Sequence, residues 1–196
     1  MLSDKIILAD VYVNMDFLYS TTILLVKCEN SLAIAGDGQV TVHNMVFKST
    51  ANKIRKLVNG DHVALAGCAG RAGQALAMLD LFAKYNEQYP GQIKRAAASL
   101  VKKMNSQHGE HSNLEAMICV GDLNSTIVIA GTGEIIDRPD GIIGIGSGGA
   151  FAISAARALA QHTDMSAEKI VTESMKIAAD LCIHTNHEIH AEVIEG

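Results

Sequence analysis

The sequence predicts an α+β fold in which two stacked antiparallel sheets lie between two layers of helices. Strand-like and helix-like segments are grouped in the order strands, two helices, strands, two helices and a final strand, and such grouping favours antiparallel sheets with helices outside. Aromatic residues make up only 4% and tryptophan is absent, so small and aliphatic side chains must fill closely packed layers. At 196 residues the chain is long enough for one domain with a substantial core.

The first strands form the clearest local pattern. Residues 21–26 and 32–40 are apolar runs rich in β-branched residues, and Glu29-Asn30-Ser31 between them is typical of a turn, which predicts a hairpin. Further strands are expected at 44–47, 53–58 and 62–67, then at 117–120, 126–130, 142–145 and 183–193. Helices are expected at 69–89, 92–106, 149–161 and 166–182, where apolar residues recur near helical spacing.

Composition limits the function classes. The net charge of −5 argues against a general nucleic-acid binder, because phosphate binding needs a basic face. The one basic cluster, residues 53–56, alternates with apolar residues and is predicted to be the solvated side of a strand. The apolar fraction of 48% with only 19% charged residues exceeds what a small monomer usually carries, which favours an oligomer.

The chain carries no predicted membrane span, since no apolar run is long enough to cross a bilayer. Residues 1–20 lack the basic start of a secretory signal and the arginine bias of a transit peptide, so a cytoplasmic location is expected. The four cysteines form no Cys-x-x-Cys pair and stand among apolar residues, which predicts reduced, buried thiols rather than a disulfide frame or a zinc site.

Several motifs, taken in order, carry a resemblance to a known family. They are Thr21-Thr22-Ile23, residues 35–41 (AGDGQVT), residues 44–48, residues 51–57 (ANKIRKL), Ile145-Gly146-Ser147-Gly148-Gly149, residues 155–159 (AARAL) and residues 182–187 (CIHTNH). With these motifs the chain resembles the HslV family of threonine proteases, bacterial relatives of proteasome β subunits in the N-terminal-nucleophile hydrolase class. The resemblance runs from Thr21 to about Glu195 and implies the four-layer αββα sandwich of that class.

The resemblance divides the chain into a leader, residues 1–20, and a peptidase domain, residues 21–196. Removal of the leader would make Thr21 the first residue, although an extra strand at 11–13 or a translation start at Met15 stays open. A threonine hydroxyl is a poor nucleophile without a base, and a free α-amine, with a pKa of about 7.7–8.0, can accept its proton. The amide of an uncut chain has no basic lone pair, which explains why cleavage must precede activity.

The resemblance also assigns the other catalytic residues. Lys48 is expected to stay charged, to keep the amine of Thr21 neutral and to stabilise developing negative charge, with Asp37 pairing to Lys48. Gly67, taken as the glycine that ends a strand, is expected to supply a backbone N–H to the oxyanion. Ser147 is expected to help shuttle the proton of the amine, and it is also a possible N-cap of the following helix.

The resemblance further implies partners and an ion. It implies two stacked six-membered rings of this chain, which degrade unfolded proteins delivered by an HslU-type AAA+ ATPase. ATP would be used by that partner and not by this chain. A sodium ion is implied on the backbone carbonyls of Ala179, Cys182 and Thr185. Residues 71–73 (RAG) depart from the family pattern of a small residue, an alanine and an aspartate, which is expected to alter the substrate cleft or a subunit contact.

Two other functions remain open at this stage. The protein is alternatively a non-catalytic ring subunit, or a zymogen whose leader is never removed. Residues 144–149 also fit the pattern G-x-G-x-x-G after a strand and before a helix, which is typical of a dinucleotide-binding module. That motif falls late in the chain and precedes a second predicted helix instead of a strand, so it is the weaker alternative.

Overall fold

The computed structural model describes residues 18–20, 22–108 and 114–196. The predicted leader residues 1–17 and the predicted nucleophile Thr21 therefore lie outside the described residues. The strands in the described part are β1 (Leu18–Ser20), β2 (Thr22–Cys28), β3 (Ser31–Asp37), β4 (Val40–Val42), β5 (Met45–Lys48), β6 (Ile54–Asn59), β7 (His62–Arg71), β8 (Ala116–Gly121), β9 (Thr126–Ala130), β10 (Ile135–Asp137), β11 (Ile142–Gly146) and β12 (Ile189–Glu195). The helices are α1 (Ala72–Gln88), α2 (Ile93–His108), α3 (Gly149–His162) and α4 (Ala167–Leu181).

The strands form two antiparallel sheets, as predicted. The larger sheet has the order β10-β9-β8-β7-β1-β4-β5, and β6 also pairs with β7. The smaller sheet has the order β11-β2-β3-β12. The predicted hairpin is confirmed as β2 and β3, with Cys28 opposite Ser31. The hairpin is therefore the centre of the smaller sheet, with β11 and β12 on its two edges.

Three clusters of buried apolar side chains hold four layers together. One cluster lies between α1, α2 and the larger sheet and includes Phe82 and Leu100. A second lies between α3, α4 and the smaller sheet, where Ala152 and Ala156 are fully buried. The third lies between the two sheets and is built mainly from branched aliphatic side chains such as Ile23. This arrangement confirms the αββα sandwich, with small residues at the helix contacts as the composition predicted.

Local sequence explains where the helices begin and end. Ser166 caps α4 by accepting a hydrogen bond from the Lys169 N–H at 3.4 Å, and Glu168 lies in the first turn, as predicted. The chain after α1 turns at Pro90, which lacks the N–H that a helix needs. Among the described helices, none is long and apolar enough to cross a membrane. All four cysteines are free, as predicted, and three of them are buried.

Several strands differ from the prediction, and three of the differences affect the regions around the site and the sheet edge. β7 continues to Arg71, so α1 begins three residues later than the predicted start at Ala69. The short edge strand β10 was not predicted. The last strand begins at Ile189, because residues 182–188 form a loop after α4. This loop reaches the end of β3, and it brings side chains into the site described next.

Candidate active site

Asp37 lies at the centre of the site, as the last residue of β3. Its side chain is fully buried, and its carboxylate accepts four hydrogen bonds. Oδ1 accepts from Lys53 Nζ at 2.7 Å and from the Thr22 N–H at 3.0 Å, whereas Oδ2 accepts from the Gln39 N–H at 2.9 Å and the Asn186 N–H at 3.3 Å. A buried carboxylate needs such partners to remain ionised. Asp37 is therefore a charged group that fixes both the lysine and the start of β2.

The lysine that pairs with Asp37 is Lys53, so the predicted pairing with Lys48 is wrong. Lys48 is the last residue of the edge strand β5 and is exposed to solvent. Lys53 is only 3% exposed, so the predicted solvated location is also wrong for this member of the basic cluster. Lys53 directly precedes β6, so the alternation of exposed and buried side chains along that strand does not extend to it. Its side chain is directed inward and reaches the Asp37 carboxylate.

The surroundings of Lys53 affect its acidity. Burial lowers the pKa of the Lys53 ammonium below its ordinary value, and the negative charge of Asp37 partly offsets that effect. The backbone of Lys53 is held as well, because its carbonyl accepts the Cys68 N–H at 3.0 Å. A lysine of this kind is a rigidly placed cation whose proton is bound less tightly than that of a surface lysine.

Thr22 fixes the position of the residue before it. Its N–H donates to Asp37, and its buried hydroxyl accepts the Gly148 N–H at 3.0 Å and lies 2.7 Å from the Thr185 hydroxyl. A Cβ on Gly148 would lie 2.5 Å from the Thr22 Oγ1, so only glycine permits this close approach. Thr22 directly follows the predicted nucleophile in the sequence, and its N–H is bound to the same carboxylate oxygen as the Lys53 ammonium.

Ser147 lies close to the same strand. It follows Gly146, which is paired with Thr22 in the sheet, and precedes Gly148, which contacts the Thr22 hydroxyl. Its side chain is exposed. The N-cap of α3 is Gly148, so the predicted capping role of Ser147 is wrong. The role of Ser147 in proton transfer stays a prediction.

Gly67 lies in the middle of β7 rather than at its end. It is paired with Ile54 of β6 on one edge and with Cys119 of β8 on the other. A Cβ at this position would lie 2.7 Å from Ile23 Cγ2, so glycine is required by packing between the sheets. Burial raises the pKa of the thiol of Cys119, the β8 residue paired with Gly67, to about 12. Donation from Gly67 to an oxyanion stays a prediction.

Arg71, the first residue of the predicted departure from the family pattern, ends β7. Its N–H donates to the Glu115 carbonyl at 2.7 Å, and its Nε lies 3.2 Å from Glu115 Oε2. Its backbone is paired with Tyr19 of β1. Arg71 therefore lies beside β1, and an effect of residues 71–73 on the substrate cleft or on a subunit contact stays a prediction.

The loop after α4 makes contacts with the site that the sequence did not predict. Asn186 Oδ1 accepts the Gly38 N–H at 3.0 Å, and its Nδ2 donates to the Ser49 carbonyl at 2.9 Å. Together with the Asn186 N–H on Asp37 and the Thr185 hydroxyl on Thr22, these bonds attach the loop to β2 and β3. The sequence signal for these contacts was the cluster of polar side chains after the end of a helix. The prediction of a strand at 183–193 assigned that cluster to the wrong kind of structure.

The dinucleotide-binding alternative is rejected. A dinucleotide site of that type needs a βαβ unit with parallel strands. Here β11 is antiparallel to β2, and α3 is followed by α4. The glycines at 144–149 instead allow close contacts, since a Cβ on Gly144 would lie 2.5 Å from the Gly149 carbonyl oxygen.

A family model described as "Proteasome subunit" matches residues 18–194. The chain belongs to the proteasome subunit family. Among solved structures it is similar to eukaryotic HslV from Trypanosoma brucei, with 36% identity, a TM-score of 0.79, and coverage of 90% of this chain and 100% of that one. It also shares its fold with Thiobacillus denitrificans BPH in complex with epoxomicin, at 19% identity and a TM-score of 0.72, covering 89% of this chain and 98% of that one.

Membership of this family, with the HslV-type relative, makes the protein a threonine peptidase of the N-terminal-nucleophile class. Proteins of this family form ring-type oligomers, in agreement with the large apolar fraction of the sequence. The buried Asp37–Lys53 pair agrees with that activity, because Asp37 also holds the N–H of Thr22, the residue that follows the predicted nucleophile in the sequence.

Proposed function

We propose that this protein is the proteolytic subunit of an ATP-dependent protease, and that Thr21 is its nucleophile once the residues before it have been removed. The observation that supports this proposal most directly is the Asp37 carboxylate, which holds both the Lys53 ammonium and the N–H of Thr22. These two bonds bring a buried cation and the first residue of β2 to one carboxylate, which supports the preceding residue in the sequence, Thr21, as the nucleophile.

In the proposed reaction the Thr21 hydroxyl oxygen attacks the carbonyl carbon of a peptide bond. The free α-amine of Thr21 accepts the hydroxyl proton and later gives a proton to the leaving amine. An ester between Thr21 and the substrate remains, and a water activated by the same amine hydrolyses it. The Lys53 charge disfavours protonation of the nearby amine and stabilises the negative charge that develops on the oxygen. Ser147 assists the proton transfer.

The groove between β4 and β7 supports the binding of peptides as a strand. β1 lies in this groove, antiparallel to both neighbours, with Ser20 paired to Val40 on one side and to Gly70 on the other. A substrate that replaces β1 would make the same main-chain hydrogen bonds with any sequence, which suits a protease for unfolded proteins. In the uncut chain the same strand blocks the groove, which favours a zymogen over a permanently inactive ring subunit.

The partner and the ion are further parts of the proposal. We expect two stacked hexameric rings fed by an HslU-type AAA+ ATPase, in the cytoplasm. A sodium ion would be held by the carbonyls of Ala179, Cys182 and Thr185. These residues fit a cation, because α4 ends at Leu181 and its last carbonyls lie at the negative end of the helix dipole. The Cys182 carbonyl accepts the Thr185 N–H at 2.9 Å and keeps one lone pair free.

Substitution of the nucleophile tests the proposed function. Thr21→Ala should abolish hydrolysis of a fluorogenic peptide while leaving the oligomer intact, because only the attacking oxygen is lost. Thr172→Ala is the matched control, since Thr172 is a half-buried threonine on α4 that belongs to no part of the proposed site. Addition of an HslU-type ATPase with ATP should allow the wild type to degrade casein. Peptide hydrolysis that survives in the Thr21→Ala protein would remove Thr21 from the mechanism.

A further inference from the structure

An apolar pocket lined by residues of β7, β8, β9 and β11 has no role in the proposed mechanism. Its volume is about 230 Å³, and most of its lining consists of alanine, glycine, leucine and methionine. The lining includes the two large apolar residues Leu114 and Met117, and the small residues Ala69, Gly70 and Gly146. Met117 is 46% exposed, so a large apolar side chain borders the opening.

The strand register places this pocket next to Ser20 and Thr22, the residues on either side of Thr21 in the sequence. Gly70 is paired with Ser20, and Gly146 is paired with Thr22. The two lining glycines therefore contact the residues on either side of the nucleophile. The pocket extends from there over β8 and β9, whereas β1 lies on the opposite edge of β7. It is thus outside the groove that β1 occupies, and next to the end of that groove.

The pocket has a rigid wall. The Glu115 carbonyl accepts the Arg71 N–H at 2.7 Å, and the Glu115 N–H donates to Gln74 Oε1 at 2.9 Å, which ties residues 114–116 to β7 and α1. Gly70 has a φ of +110°, and a Cβ there would lie 2.2 Å from the Glu115 carbonyl oxygen. The space exists because many of the lining residues are small, and because these hydrogen bonds hold residues 114–116 away from it.

The size and lining indicate what the pocket binds. Small-molecule sites usually have volumes of about 300–1,000 Å³, so this pocket is too small for a drug-sized ligand. An apolar cavity of about 150 Å³ is sufficient for benzene. A volume of about 230 Å³ therefore fits one side chain of the size of leucine or phenylalanine.

We infer that this pocket binds an apolar side chain of the substrate residue that directly follows the cleaved bond. The inference rests on the proposed function, in which a substrate replaces β1 and its reacting carbonyl lies at Thr21. After that carbonyl the substrate chain cannot continue in the direction of β1, because β2 begins at Thr22 and belongs to the other sheet. The residue after the cleaved bond must therefore turn aside, and the pocket lies across β7 from the groove.

Internally quenched peptides that differ at one residue test the inference. The residue after the cleaved bond is Leu, Asp or Lys, the remaining sequence is constant, and mass spectrometry of the products fixes the position of cleavage. For the wild-type peptidase we expect kcat/KM to be about tenfold higher for Leu than for Asp or Lys. Met117→Asp should reverse the order of Leu and Lys, because a carboxylate would border the pocket. Met117→Gln should reduce the preference for Leu without a new preference for Lys.

The matched control is Met165→Asp, which changes an exposed methionine in the loop between α3 and α4 and should keep the preference for Leu. Size-exclusion chromatography should show the same oligomer for all variants. Equal kcat/KM values for the three peptides in the wild type would overturn the inference while leaving the proposed function intact. So would a preference for Leu that survives in both Met117 variants. A wild-type protein that cleaves none of the peptides would instead refute the proposed function.

Discussion

Replacement of Lys53 by methionine separates the observed site from the one expected on sequence grounds. Lys53→Met removes the ammonium from the buried Asp37 carboxylate and keeps most of the aliphatic stem. Breaking a buried ion pair from one side costs about 3–5 kcal/mol. Asp37 keeps three backbone N–H donors, so the cost should fall at the lower end, about 3 kcal/mol. In a chain of this size that corresponds to a fall in Tm of about 6–12 °C.

The effect of Lys53→Met on activity should be larger than its effect on stability. The variant loses the charge that keeps the α-amine neutral and stabilises the oxyanion, and we expect kcat/KM to fall by about 10²–10⁴-fold. The assay is hydrolysis of a fluorogenic peptide, with thermal unfolding followed at the same protein concentration because the protein is oligomeric.

The control is Lys48→Met on the exposed edge strand β5. A surface substitution of this kind should change the free energy of unfolding by less than about 0.5 kcal/mol, and kcat/KM should stay near that of the wild type. The reasoning is refuted if Lys53→Met keeps kcat/KM within about threefold of the wild-type value while Lys48→Met abolishes activity. That result would show that the buried pair is structural and that the exposed lysine acts in catalysis.

Three further substitutions test other parts of the site and fold. Gly148→Ala would place a methyl group 2.5 Å from the Thr22 Oγ1. We expect the free energy of unfolding to fall by about 1–3 kcal/mol in thermal unfolding, together with a reduced kcat/KM. An unchanged Tm would contradict this. Asn186→Ala removes side-chain hydrogen bonds that attach the loop after α4. Urea unfolding should show a free energy of unfolding lower by about 1–3 kcal/mol. A value equal to that of the wild type would count against this role of Asn186. Hydrogen bonds from Arg138 lower the pKa of Asp140 to about 2 from an ordinary 3.8, so its stabilising effect should be present above about pH 4 and disappear as the pH falls through 2. Because Asp140 is partly exposed, Asp140→Asn should cost only about 0.5 kcal/mol at pH 7 and nothing at pH 2, and an equal cost at both values would refute the linkage.

The layer order could be predicted from the sequence because its signals are local. The hairpin of β2 and β3 follows from two β-branched runs with a turn at Glu29-Asn30, and the structure places the turn at those two residues. Ser166 was predicted to begin α4, and its side chain caps that helix. In such segments the residues that decide the structure are neighbours in the sequence.

The boundary between β7 and α1 was decided by distant residues. Alanine and glycine at positions 69, 70, 72 and 73 fit either a strand end or a helix start. The pairing of Ala69 with Met117 of β8, and of Gly70 with Ser20 of β1, extends the strand to Arg71. Neither partner is close in sequence, so the local pattern could not place the boundary. β10 has only three residues, too few for periodicity to reveal it.

The site was predicted in part for the same reason. Asp37 between two glycines was singled out correctly as the acid that binds a lysine. The choice of Lys48 over Lys53 failed because the alternation of charged and apolar residues at 53–56 is typical of a solvated strand. Only the three-dimensional structure shows which lysine is buried. Lys53, the residue before β6, reaches Asp37 in the interior. Thr185 and Asn186 act through contacts more than 140 residues away in the chain.

The central claim is that an amino group exposed at Thr21 acts as the base for the hydroxyl of the same residue. The most direct test is intact mass measurement, with N-terminal sequencing, on a preparation whose peptidase activity has been measured. We expect the active protein to begin at Thr21 with an unblocked amino group, and activity to increase with the fraction of cleaved chains. A fully active preparation in which the residues before Thr21 are still attached would contradict the claim.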